Sequence, residues 1–355
     1  MKAFIRTEQY YHSHKKINII QDNDDFNILV NKILDSEKSI HIDGRAGCGK
    51  TTLIKLLQSE MTARNLEFKS LAPTNKACRL IDGTTMHRFS AMATGSYIRE
   101  TKIKYIFIDE VSMMPEMFYK FFIVLKRMRP DIKFIIAGDF AQLLPVKDRV
   151  ENCDYKNSLA LHELCDGNRL ELLKCRRSDA TLFNLLLPNN INKIQKKDFK
   201  NAMTSRHICF TNKKRIEINQ LMMNQFIKKK KVKGLFLKGL DYDQNSQDVL
   251  ISSGMPIISR KNNKELNIYN NETYIIKEIR KKENIIIVSD VGKEQAVPIP
   301  EFTKMFNLAF CITTHKSQGA TFDEPYTIHE FDLFDDRLRY VALSRSTEIN
   351  FINII

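Results

Sequence analysis

Short apolar runs alternating with helix-period stretches fill the first half of the chain, the pattern of an α/β parallel sheet. Residues 39–42 read as a buried strand running into a glycine-rich turn, and 51–61 as the helix after it. A second strand over 68–72 is ended by Pro73, and a third over 105–108 stops at two acids. Pro115 suits the first turn of a helix reaching about Arg129, and 133–137 is a fourth strand closed by Gly138 and Asp139. The pattern resumes with a strand over 207–211 and a helix over 213–227. Later come strands at 308–313 and 326–329, a helix over 335–346 and a last short strand at 350–355.

The interruption, residues 228–301, reads differently. It opens on Lys228–Lys231 and carries β-type runs at 255–259, 273–279 and 285–289, with turn chemistry at Asn270-Asn271 and at 281–284. A small antiparallel barrel fits that pattern better than further α/β layers. The expected organisation is therefore a first lobe over 1–158, with a short hairpin at about 90–103. A second lobe is expected from 159–227 plus 302–355, with 228–301 inserted into it.

Length and composition narrow the class. With 355 residues, 43% hydrophobic and 28% charged, the chain has ample material for buried cores. No apolar stretch approaches the about 18 residues of a membrane-spanning helix, and the first residues lack a secretory signal's apolar run. The seven cysteines are scattered, with no CxxC pair, which argues against a disulfide framework and for a reducing compartment. A soluble intracellular protein is expected, in nucleus or cytoplasm. Lys and Arg number 56 against 42 Asp and Glu, a net +14 that attracts polyanions, nucleic acid foremost. A solvated lysine-rich surface explains the same number, so charge alone decides nothing.

The chemistry lies in the loop after the first strand. Gly44-Arg45-Ala46-Gly47-Cys48-Gly49-Lys50-Thr51 satisfies GxxxxGK[ST] between a predicted strand and a predicted helix. Glycines let backbone N–H groups turn inward around phosphates, and the helix N-terminus adds favourable dipole charge. Lys50 reaches the β- and γ-phosphates of a nucleotide and the Thr51 hydroxyl ligates Mg²⁺, with Thr52 following on the helix. The strand 105–108 ends in Asp109 and Glu110: the first holds the metal through water, and the second orients or deprotonates the attacking water. A kinase needs no such water base, so the pair favours hydrolysis.

These residues give the sequence a family likeness. It resembles superfamily 1 helicases of the 5′→3′ branch, the RecD, Dda and petite-integration-frequency group, over about residues 21–350. The 44–51 loop matches motif I, and Ala72-Pro73-Thr74-Asn75-Lys76-Ala77 looks like motif Ia. Gly83-Thr84-Thr85-Met86-His87 is similar to the adjoining DNA-contact segment, and Asp109-Glu110-Val111-Ser112-Met113-Met114 to motif II. Gly138-Asp139-Phe140-Ala141-Gln142-Leu143-Leu144-Pro145-Val146 matches motif III, with one leucine where the family commonly has proline. Residues 172–179 resemble motif IV, Thr314-His315-Lys316-Ser317-Gln318-Gly319 motif V, and Tyr340-Val341-Ala342-Leu343-Ser344-Arg345-Ser346 motif VI.

The resemblance implies two RecA-like P-loop lobes with an SH3-like insertion in the second, and ATP and Mg²⁺ between the lobes. It implies catalytic roles for Lys50, Glu110, Gln142, Arg177 and Arg345, with Arg176 as the alternative register for the motif IV arginine. Nucleotide would further be met by Gly44, Ala46, Gly47, Cys48, Gly49, Thr52 and Gly319, and metal by Thr51 and Asp109. Gln21 is either the residue that reads adenine or an accidental glutamine. Strand contacts are implied for Pro73, Thr74, Asn75, Thr85, His87, Thr314, His315 and Lys316. The partners implied are single-stranded DNA and its junctions with duplex, engaged by a monomer in replication, repair or recombination. Where relatives hold a strand-separating pin, residues 90–103 leave space for a short hairpin with Tyr97 as its one aromatic. The alternatives are a translocase without robust unwinding, a P-loop NTPase of another class such as a nucleotide kinase, and a nucleic-acid clamp whose ATPase has decayed.

Overall fold

The computed structural model describes residues 18–21, 25–93, 95–145, 154–280, 283–289 and 292–355, and the chain divides into two compact units, 1–180 and 181–355. The first unit is built on seven parallel strands: β1 (Asn18–Gln21), β2 (Ile40–Gly44), β3 (Phe68–Ala72), β4 (Thr84–Thr85), β5 (Tyr105–Ile108), β6 (Lys133–Gly138) and β7 (Asn168–Leu172). Their order is β1-β7-β2-β6-β5-β3-β4, which places β2, the strand feeding the glycine loop, near the middle and two strands from β5. Strands covered on both faces read as continuous apolar runs, and all of β5 and all but the ends of β2 and β6 are buried. The helix Glu116–Met128 buries Phe118, Tyr119, Phe122, Ile123 and Leu125, a stripe at helical spacing that packs Phe122 edge-on to Phe134 of β6. Pro115 sits one residue before that helix.

Two expectations about this unit need correction. The first unit extends to Ala180 rather than ending at 158, because β7 inserts between β1 and β2 and brings residues 172–179 with it. The motif IV arginines therefore belong to the first unit. The segment expected as a hairpin at 90–103 holds the helices Met86–Met92 and Gly95–Glu100, with no strand among its described residues. Its anchoring is apolar: Phe89 and Ile98 are buried in the core beside Phe118 and Phe122.

The second unit has a parallel sheet made of β8 (Arg206–Cys209) and the last three strands of the chain, and an antiparallel part made by the strands between. In chain order these are β9 (Leu235–Leu237), β10 (Val249–Ile251), β11 (Pro256–Ser259), β12 (Thr273–Arg280), β13 (Asn284–Ser289), β14 (Glu294–Pro298) and β15 (Phe306–Leu308). They are followed by β16 (Cys311–Thr313), β17 (Tyr326–Ile328) and β18 (Ile352–Ile354). The parallel order is β16-β8-β17-β18. Among the described residues β9 and β10 pair as a hairpin, and the rest form a five-stranded sheet in the order β14-β13-β12-β11-β15, in place of the expected closed barrel. The single strand expected over 308–313 is two strands in two sheets. Asn219 explains the break: its Nδ2 donates to Leu308 O and Cys311 O at 3.1 and 2.9 Å, and its Oδ1 accepts from Cys311 N at 2.9 Å. That side chain satisfies the backbone where the chain leaves one sheet for the other. The helix expected over 213–227 runs on into the lysine run: Lys228, Lys229 and Lys230 close the helix Asn212–Lys230, where cations suit the helix dipole.

Candidate functional site

The glycine loop leaves the end of β2 and enters the helix Lys50–Ala63, as its spacing requires. Gly47 and Gly49 stand at φ +86° and +88°, the left-handed region that suits glycine. At Gly49 space forbids a side chain as well: a Cβ would lie 2.9 Å from Phe26 Cζ. Lys50 is buried, and its Nζ donates to Gly44 O at 2.7 Å and Arg45 O at 3.2 Å. The ammonium thus rests on loop carbonyls, inside the concavity where phosphate oxygens would replace them.

Opposite the loop, the tip of β5 brings a carboxylate to the Thr51 hydroxyl. Thr51 Oγ1 donates to Asp109 Oδ2 at 3.0 Å, and the other carboxylate oxygen of Asp109 accepts from Glu110 N at 2.9 Å. Burial raises the Asp109 pKa, while the Glu110 N–H, the Thr51 hydroxyl and the Lys50 charge act to lower it. A hydroxyl and a carboxylate held together at the mouth of a phosphate loop are hard oxygen donors, the set that Mg²⁺ takes. Glu110 adopts φ 55°, ψ 45°, an uncommon backbone for a residue with a Cβ, which re-aims its carboxylate just after the strand. On β6's exit, Gln142 is buried and its Nε2 donates to Asp139 Oδ2 at 3.3 Å.

Both motif IV arginines meet the loop, on different residues. Arg176 N donates to Gly47 O at 2.8 Å, its Nη1 donates to Cys48 O at 3.0 Å, and its guanidinium lies 4.0 Å from the Phe26 ring centroid. Arg177 starts beside Gly47, whose Cβ position would be 3.2 Å from Arg177 Cβ. Cys48 is buried and burial raises its thiol pKa, which makes it a packing residue rather than a nucleophile. Ala46 is half-buried within the loop and Thr52 is exposed on the helix. Gln21 ends β1, paired with Glu171 of β7, and its side chain lies outside the described residues, as does Val146.

The implied strand contacts divide into two kinds. Thr74 and Thr85 are helix N-caps, accepting from Ala77 N at 3.2 Å and Arg88 N at 3.3 Å, which fixes Pro73, Asn75 and His87 around them. His87 is exposed, edge-on to Phe118 with centroids 4.7 Å apart. In the second unit Thr314 is wholly buried and its hydroxyl donates to Cys209 O at 3.2 Å, so this side chain is a structural support rather than a strand contact. His315 is exposed, Lys316 half-buried, and Gly319 turns the chain at φ +72°.

Arg345 is 2% exposed and committed within its own unit. Nε donates to Val341 O at 2.8 Å, Nη1 to Ala320 O at 3.2 Å and Nη2 to Ser344 Oγ at 2.8 Å. Arg345→Gln is expected to destabilise the second unit by about 1–3 kcal/mol for each carbonyl left unsatisfied. Denaturant unfolding followed on that unit tests it, and an unchanged midpoint would show that these bonds do not hold the turn.

Comparison with known proteins follows the same geography. A family model described as an AAA domain matches residues 29–148, which contain the glycine loop, the Asp109-Glu110 pair and Gln142. The chain is 27% identical over 204 residues, 51% of this chain and 32% of the relative, to ATP-dependent DNA helicase PIF1 of Danio rerio. It is 26% identical over 178 residues, 45% of this chain and 39% of the relative, to ATP-dependent DNA helicase dda of Enterobacteria phage T4. The chain thus spans about a third of the length of these curated relatives. Among solved structures, the fold is similar to that of Bacteroides Pif1 bound to ssDNA, with a TM-score of 0.70 at 20% identity, covering 94% of this chain and 91% of the other.

Proposed function

We propose that this chain, which belongs to the Pif1- and Dda-like family of superfamily 1, is an ATP-driven motor that moves 5′→3′ on single-stranded DNA. The observation that carries the reading is the Lys50, Thr51 and Asp109 constellation, completed by Glu110 and Gln142 at the ends of neighbouring strands. Lys50 exchanges its loop carbonyls for the β- and γ-phosphate oxygens of ATP, and the backbone N–H groups around Gly47 and Gly49 meet the α- and β-phosphates. Thr51 and Asp109 would hold Mg²⁺, and the ion would supply positive charge against the transferred phosphate. Glu110 orients the attacking water and takes its proton, while Gln142 links that site to the end of β6. Arg177 meets the charge that develops on the γ-phosphate. Arg345 is assigned to the same work by its motif, and reaching phosphate would require its bonds to Val341 O and Ala320 O to be exchanged.

A motor on single strands must couple turnover to the strand. ATP hydrolysis is expected to rise steeply when oligothymidylate is added, and a duplex with a 5′ tail is expected to open where a 3′-tailed one does not. ATPase and unwinding assays on both substrates, with and without ATP, test this. Hydrolysis indifferent to single strands would favour a P-loop NTPase of another class, and preferential opening of the 3′-tailed duplex would reverse the direction. The two short helices at 86–100, in place of a projecting hairpin, favour translocation over vigorous unwinding by this chain alone.

A further inference from the structure

Between the helix Phe26–Asp35 and the first residues of β1, β7 and β2 lies a cavity of about 210 Å³. Ile40 opens β2 and Gly44 closes it, so the cavity and the phosphate loop stand at opposite ends of one strand, about 13 Å apart. The apolar lining is Leu29 and Ile33 of the helix, Ile40 of β2 and Leu170 of β7, all buried. The amides in the wall are engaged: Asn18 Nδ2 donates to Asn168 Oδ1 at 3.3 Å, and Asn168 Nδ2 to Ser39 O at 3.2 Å. At the mouth stand Lys32 and Lys38, both exposed, whose ammonium groups make no hydrogen bond or ion pair with any described residue. No acid is among the described residues that line the cavity. Asp35 is turned to Arg64 at 3.5 Å, and Glu37 lies outside the lining. The carbonyls that end the helix are partly covered, Ile33 O by the Ser36 hydroxyl at 2.8 Å and Leu34 O by Glu37 N at 3.3 Å.

An apolar wall with nothing across the gap forfeits dispersion contacts, and water inside it finds few hydrogen-bond partners. Two unpaired ammonium groups at the mouth add a field that one anionic head would satisfy. The volume lies below the roughly 300–1,000 Å³ of drug-sized sites, so the occupant is small. We propose that the cavity binds a small amphipathic anion, with an alkyl chain under the helix and a carboxylate or phosphate head on Lys32 and Lys38. None of the described residues that line it belongs to the phosphate loop or to the implied strand contacts. The helix that roofs the cavity nevertheless reaches the loop. Its first residue, Phe26, packs on Gly49, where a Cβ would lie 2.9 Å from Phe26 Cζ, and the ring centroid is 4.0 Å from the Arg176 guanidinium. An occupant wedged under Leu29 and Ile33 shifts this helix and with it the loop's support, which makes the cavity an effector site. That second half rests on the reading of the chain as an ATP-driven motor. By linkage, whatever factor the anion imposes on nucleotide affinity, nucleotide imposes on the anion.

The test is calorimetric titration of the full chain with octanoate, octyl phosphate and octanol, which share one chain and differ in the head. An anion is expected to bind at one site per chain, and octanol about tenfold more weakly, the scale of one charge-assisted hydrogen bond. The tighter of the two anions identifies the head as carboxylate or phosphate. Replacing both exposed lysines, Lys32→Gln with Lys38→Gln, should bring the anion down to the level of octanol. Ile33→Trp should fill the cavity and abolish binding of all three, and the lysine pair decides the matter if that variant does not fold. Octanol binding as tightly as the anions, anion affinity unchanged in the lysine pair, or no binding to the wild type would each overturn the site. The titration is then repeated with Mg²⁺ and a non-hydrolysable ATP analogue. Wild type is expected to change its anion affinity by about fivefold or more, and Phe26→Ala to keep anion binding but lose that change. Equal affinities with and without nucleotide in a wild type that binds both would overturn the effector role. A wild-type chain that binds the anion but no nucleotide would instead sink the motor reading itself.

Discussion

Lys50→Ala is expected to abolish ATP turnover, by about 10³-fold or more, while leaving single-strand binding near the wild-type level. The ammonium sits in the loop's concavity on the carbonyls of Gly44 and Arg45, so its removal takes away a charge placed where phosphate charge develops. The surrounding fold has little reason to fail. Leu53, Ile54 and Leu57 of the following helix are fully buried, and none of that apolar packing depends on the lysine head. The implied strand contacts lie after β3, β4 and β16, on different residues from the loop. Steady-state hydrolysis and oligonucleotide binding on the same preparation check both halves. Turnover near wild type would remove the phosphate-loop assignment, and joint loss of both activities would point to a folding role for Lys50.

The strands that sequence reading located best are those buried on both faces. Residues 105–108 are an uninterrupted apolar run, wholly buried, and emerge with the expected bounds, as does 68–72, whose last three residues are buried. β7 escaped notice because its sequence, NRLEL, is polar for a strand flanked on both sides. The structure makes it buriable: Asn168 Nδ2 donates to Ser39 O and Cys165 O, and Arg169 Nη2 donates to Lys156 O and Asn157 Oδ1. Such compensation is invisible without the fold, and missing it moved the unit boundary by about twenty residues. The phosphate loop and the acid pair were legible because their chemistry is local, a few residues at a fixed spacing. Phe26, which packs on Gly49 and under Arg176, was not, since it lies outside the loop and belongs to no motif.

That last contact bears on which arginine meets the γ-phosphate, and the expected result is unequal. Arg177→Ala should lower the hydrolysis rate by about 10³-fold, the scale of a lost arginine finger, with ATP affinity little changed. Arg176→Ala should act mainly on affinity. Its guanidinium already donates to Cys48 O and stacks on Phe26, at the end of the loop where the helix begins. Those bonds hold the backbone whose N–H groups cradle phosphate, so removing them loosens the seat without deleting a charge from the transition state. Arg177 instead starts beside Gly47, in the middle of the loop. Lysine should fail to rescue Arg177, because a point charge cannot reproduce the planar fork that meets two phosphate oxygens together. Single-turnover hydrolysis and nucleotide binding, measured on both alanine variants and on Arg177→Lys, separate these effects. A severe rate defect in Arg176→Ala with a mild one in Arg177→Ala would shift the finger by one residue and leave Arg177 as the packing neighbour of Gly47.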